Sequence, residues 1–67
     1  MLNIERFQRL GYTIEQYDYQ FIVFKKDNKK ITFDLFAKRY CYNSKELFYD
    51  QNVEDAVLNL CEQLNFK

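Results

Sequence analysis

Two runs rich in β-branched and aromatic residues, Phe21 to Phe24 and Ile31 to Phe36, flank six polar residues centred on Asp27-Asn28. That pattern predicts a β-hairpin and constrains the fold more than any other stretch of the chain. Asp and Asn tolerate positive φ better than most residues, so a two-residue loop at Asp27-Asn28 is expected. It pairs Phe24 with Ile31 and Ile22 with Phe33, and gives Ile22, Phe24, Ile31, Phe33 and Leu35 one shared face. A three-residue loop would instead set Phe21 and Val23 opposite Phe33 and Leu35.

Upstream of the hairpin, Leu2, Ile4, Phe7 and Leu10 mark one face of a helix of about two turns, with Gly11 placed to end it in the left-handed region. From Tyr12 the period shortens to two. Tyr12, Ile14 and Gln16 alternate with Thr13, Glu15 and Tyr17, predicting a strand that turns at Tyr17-Asp18-Tyr19 into the strand Gln20 to Lys26. Ile14 would then face Ile22, and Tyr12 would face Phe24. Downstream, Arg39 to Tyr42 reads as a further arm, with Cys41 inward if Phe36-Ala37-Lys38 is the loop. Asn43-Ser44-Lys45 is a turn, and Glu46 to Tyr49 is a short strand or irregular crossing anchored by Leu47 or Phe48. Val53, Ala56, Val57, Leu60, Cys61 and Leu64 form a full helical stripe, with Asn52 as the expected N-cap. Phe66 is placed to fold back on the core, and Lys67 to trail into solvent.

The expected fold is therefore α+β, one domain over residues 1–67. It is a two-layer sandwich in which a three- or four-stranded antiparallel meander is covered on one face by two helices.

With 67 residues, 48% of them hydrophobic and 30% charged, the chain has the balance of a folded domain. Cores of this size contribute only ~3–5 kcal/mol, so a partner or a second subunit has a role to play. Six Tyr and seven Phe are more rings than so small a core can hide. Some must reach the surface. Ten basic and ten acidic residues cancel, which argues against whole-molecule attraction to nucleic acid or an anionic membrane. The signs are segregated, basic from Lys25 to Arg39 and acidic from Glu46 to Glu62. Two solvated faces explain this, as would a polarised docking surface.

Little here supports chemistry. With no His, one Gly and two unpaired-looking cysteines, the chain lacks a general base near neutral pH, a phosphate-cradling loop and a Cys/His zinc set. Cys41 and Cys61 read as structural, reduced thiols. Asp50, Glu54 and Asp55 carry oxygen ligands, but without the spacing of a calcium loop; helix capping explains them better. No catalytic residue, metal or cofactor is expected. No run approaches the ~20 apolar residues of a membrane helix, and the start lacks a signal peptide's apolar core, so the expected location is cytoplasmic.

The open sheet face, in the expected register, carries Tyr17, Tyr19, Phe21, Val23, Lys25, Lys30, Thr32, Tyr40 and Tyr42. Tyr-rich surfaces suit protein interfaces. The leading expectation is a small non-enzymatic interaction module that binds a protein partner, or self-associates, through this face. The alternative is single-stranded nucleic-acid binding, with the same rings as stacking platforms among Lys. A third reading is that long polar side chains or the crossing segment cover the face. The helix–strands–helix order resembles the double-stranded-RNA-binding domain. That family sets a basic cluster at the start of its second helix, whereas the matching positions here are Glu54 and Asp55, which repel phosphate.

An N-terminal amphipathic helix ending in LGY, an FIVFKKDNKKITFD hairpin and a VEDAVLNLCEQL helix together resemble small proteins carried by phages and prophages of low-GC Gram-positive bacteria. The resemblance implies an accessory protein or inhibitor that binds and redirects a host protein. It assigns no functional residue.

Overall fold

The computed structural model describes residues 2–66; Lys67 lies outside them. The chain forms α1 (Glu5–Arg9), β1 (Thr13–Tyr17), β2 (Phe21–Lys26), β3 (Lys29–Asp34), β4 (Arg39–Tyr42), a 3-10 helix (Lys45–Tyr49) and α2 (Gln51–Gln63). The strands make an antiparallel meander in the order β1-β2-β3-β4. Phe7 from α1 and Val53, Ala56, Val57 and Leu60 from α2 share one buried cluster with Ile22, Phe24, Ile31 and Phe33. This is the α+β architecture expected, with four strands.

The β2–β3 hairpin has the two-residue register, Ile22 opposite Phe33 and Phe24 opposite Ile31, with positive φ at Asp27 (55°). Both strands deliver their apolar alternation to the same side. Phe7 stacks on Phe24 with ring centroids 4.0 Å apart and meets Phe33 edge-on.

Both helices end as their sequences require. α1 is shorter than expected, a single turn and a half, because Asn3 accepts from the Glu5 amide and starts it late. At its other end Gly11 (φ 92°) closes a Schellman motif: Gly11 N donates to Gln8 O, and Tyr12 N to Phe7 O. The Tyr12 and Phe7 rings meet edge-on, the apolar contact that accompanies such an ending. In α2, Asn65 (φ 60°) takes the glycine role, and Phe66 N donates to Cys61 O as Phe66 folds back against the core. α2 begins earlier than the apolar stripe suggests. Its N-cap is Asp50, not Asn52, with one carboxylate oxygen accepting from Asn52 N and Val53 N at 3.0 and 3.3 Å. The preceding segment is the 3-10 helix rather than a strand. Ser44 caps it, and Leu47, not Phe48, is the buried anchor.

The two outer strands depart from expectation, and each departure reverses faces. In β1 a bulge falls between Ile14 and Gln16, so Ile14 pairs with Phe24 and Tyr17 with Ile22. The extra residue, Glu15, reaches across to Lys30 at 2.8 Å and Lys25 at 3.7 Å. Tyr17 is thereby turned to the helix side. At the other hairpin the loop has four residues, Leu35 to Lys38, because Asp34 pairs with Arg39. The Asp34 carboxylate accepts from Phe36 N and Ala37 N, both at 3.0 Å, and Lys38 takes positive φ (56°). One residue more than expected flips β4. Tyr40 and Tyr42 lie opposite Phe33 and Ile31 on the helix side, and Cys41 is exposed on the open face.

Candidate interaction site at the β4 margin

The open face is consequently not the aromatic platform the sequence suggested. By register its members are Thr13, Gln16, Phe21, Val23, Lys25, Lys30, Thr32, Asp34, Arg39 and Cys41. Phe21 is half-buried, and Val23, flanked by Gln16 and Thr32, is only 7% exposed. Glu15 bridges Lys25 and Lys30, and these pairings hold its carboxyl below the usual range, the Lys30 hydrogen bond contributing most. Tyr19 belongs to neither face. It stands in the β1–β2 loop, its ring 5.8 Å from Phe36 in the β3–β4 loop at the same end of the sheet.

The hairpin lysines are also engaged within the molecule. Lys29 pairs with Glu46 at 3.4 Å, and Lys26 donates to Leu10 O at 2.7 Å with its ammonium over the Tyr12 ring. A basic stretch in sequence has become a set of internal contacts.

Exposed rings stand at several places, Tyr17, Tyr19, Phe36 and Tyr49 among them, and one connected row of aromatic rings runs along β4. The Tyr40 ring lies 6.0 Å from Phe33 and 5.6 Å from Tyr42, and Tyr42 meets Phe48 edge-on at 4.8 Å. The row runs from the core to solvent: Phe33 is fully buried, Tyr40 is 38% exposed and Phe48 62%. Leu58, 53% exposed, shares a flank of α2 with Glu54 and Cys61 by helical spacing. Tyr42 lies close enough to feel both Glu54 and Cys61; its hydroxyl is pushed up to about 12, first by burial and then by the neighbouring Tyr40 and Glu54. Burial likewise raises the Cys61 thiol. Among the described residues no group of His, Cys, Asp and Glu could hold a metal ion, and no helix is long and apolar enough to cross a membrane.

Of the residues singled out from sequence, Phe21, Val23, Lys25 and Lys30 share the open face as expected. Tyr40 and Tyr42 come together on the opposite side from the one expected, Tyr17 is turned to the helix side, and Tyr19 stands in a loop. Phe48 and Leu58 were not foreseen. Leu58 carried a signal, since it is a large apolar residue out of phase with the α2 stripe; Phe48 did not, because either it or Leu47 could have been the anchor.

No protein-family model matches this chain, and neither a curated protein nor a solved structure matches it.

Proposed function

We propose that this protein is a non-enzymatic binding module that docks a protein partner through the β4 margin, formed by Tyr40, Tyr42 and Phe48 with Leu58 beside them. The observation that carries the reading is the continuous row of rings from buried Phe33 to exposed Phe48. Anchored rings lose little entropy on binding, and aromatic side chains seated in a packed surround supply most of the energy of a protein interface. The role fits an accessory protein of the kind its resemblance to phage-carried proteins implies. Single-stranded nucleic acid is the weaker reading. Stacking platforms need several free cations beside them; Lys25, Lys26, Lys29 and Lys30 are engaged internally, which leaves Lys38 and Arg39 as the cations at the start of the ring-bearing strand.

The test is capture on the immobilised chain from a lysate that also contains a differently tagged copy of the same chain, with and without nuclease. Retained protein should be insensitive to nuclease, lost with Tyr40→Ala or Phe48→Ala, and kept with Lys25→Ala. Capture abolished by nuclease, or indifferent to both aromatic variants, overturns the reading.

A further inference from the structure

The backbone of β4 adds a feature that its side chains do not. Antiparallel pairs alternate between those that exchange both backbone hydrogen bonds and those that exchange none. Asn43 N donates to Lys30 O at 3.2 Å, in phase with the Thr32–Cys41 and Asp34–Arg39 pairs. Arg39, Cys41 and Asn43 therefore bond inward to β3, while the N–H and C=O groups of Tyr40 and Tyr42 point away from the sheet. Leu35 N, donating to Gln20 O, gives β3 the matching phase on its β2 side. The two edges of the sheet differ. β1 is blunted by its bulge and by Glu15, whereas β4 has no bulge, no proline and a single charge, Arg39.

The geometry points to a second copy of this chain as the occupant of that edge, paired antiparallel through β4 about a two-fold axis at Cys41. This rests on the reading of the β4 margin as a protein-binding surface, and it names the partner. Tyr40 then faces the partner's Tyr42, and the outward backbone groups of each satisfy the other. On the helix side the two ring rows meet across the axis, aromatic against aromatic, a favourable cross-strand pairing. An antiparallel two-fold sets the start of one β4, Lys38 and Arg39, against the end of the other, where Glu46 is paired with Lys29 at 3.4 Å and Lys45 precedes it, so the matching ring rows rather than charge select the register. The contact is isologous and closes as a dimer rather than growing. A stable dimer needs about 800 Å² from each partner, so Phe48 and Leu58 beside the strand have to join the interface.

Cys41 provides the readout. At a directly opposed pair without hydrogen bonds the Cα atoms are about 4.5 Å apart, within the span of a disulfide. With oxidised glutathione, one Cys41 thiolate attacks the glutathione disulfide and expels one glutathione thiolate. The partner's Cys41 thiolate then attacks the mixed disulfide and expels the second. Two protein thiols are oxidised to one disulfide, and glutathione disulfide is reduced to two thiols. Cys61, half-buried with its thiol pushed up, is the internal control.

The experiment combines sedimentation of the full chain with this cross-linking. The wild type should sediment at twice its 8.3 kDa mass. The cross-link should survive Cys61→Ser and vanish with Cys41→Ser, which still sediments as a dimer. Cys41→Lys, which forces like charges together on the axis, should sediment as a monomer with an unchanged circular dichroism spectrum. A wild type that is monomeric up to its solubility limit, a cross-link through Cys61, or a Cys41→Lys variant that stays dimeric overturns the proposal. If the chain is monomeric while Phe48→Ala still abolishes capture of another protein, the second copy is excluded and the broader binding reading stands; if neither effect is seen, both fall.

Discussion

Tyr42 stands where the core meets the β4 margin. Its ring touches Tyr40 on one side and Phe48 on the other, and burial, with Tyr40 and Glu54 nearby, raises its hydroxyl to about 12. A folded-state value above the unfolded one of about 10 means that the folded chain holds the phenolic proton more tightly. The stabilisation is therefore complete below pH 10 and is lost as the pH rises from 10 through 12. In an ultraviolet titration of phenolate absorbance, one of the six tyrosines should ionise near 12, and that component should be missing from Tyr42→Phe. Its persistence in the variant would show that another tyrosine carries the shift. Two aspartates do comparable local work through the backbone. Asp18 accepts from Gln20 N and Phe21 N, which lowers its carboxyl, and Asp34 accepts from Phe36 N and Ala37 N. Each sets the geometry of one hairpin loop.

At the scale of elements, α2 offers a direct comparison of what pattern predicts with what the backbone adopts. Asn52 is the polar residue nearest the apolar stripe, yet Asp50 makes the capping bonds. Asp50→Ala should cost about 1 kcal/mol in urea denaturation, whereas Asn52→Ala, inside the first turn, should be neutral or stabilise by a few tenths, on the order of 0.5 kcal/mol at most; the reverse order would restore the later start. The legible elements share one property, that two independent constraints agree. For the β2–β3 hairpin, the alternation in both strands and the turn preference of Asp27-Asn28 permit one register. For the end of α1, the Phe7 stripe and Gly11 coincide. The outer strands had only one constraint each. The bulge at Glu15, whose side chain pairs across the sheet with Lys25 and Lys30, is announced by no local pattern, and a four-residue loop after Asp34 is as compatible with the sequence as a three-residue one. Tyrosine compounds this, because its apolar ring and polar hydroxyl suit either face, so the parity of Tyr17, Tyr40 and Tyr42 could not be read from their chemistry. The fold was thus legible while the placement of its aromatic surface was not.

For the molecule as a whole, the segregated charges and surplus rings acquire definite places. The basic hairpin is bound up with Glu15, Glu46 and the end of α1, which removes most of what would draw a nucleic acid. Some of the rings that the core cannot hold, Tyr40, Tyr42 and Phe48, line one sheet edge, where unpaired backbone groups also point outward; Tyr19 and Phe36 stand together at the loop end. A core this small leaves little net stability to spare, so the proposed burial of that edge against a protein would contribute to the fold as well as to recognition. Residue-resolved amide hydrogen exchange at low and high protein concentration tests this most directly. Tyr40 and Tyr42 amides should exchange fast in dilute solution beside protected Arg39 and Cys41, and should slow as concentration rises. Exchange at Tyr40 and Tyr42 that is independent of concentration, with any slowing confined to open-face residues such as Phe21 and Thr32, would contradict β4 as the binding edge.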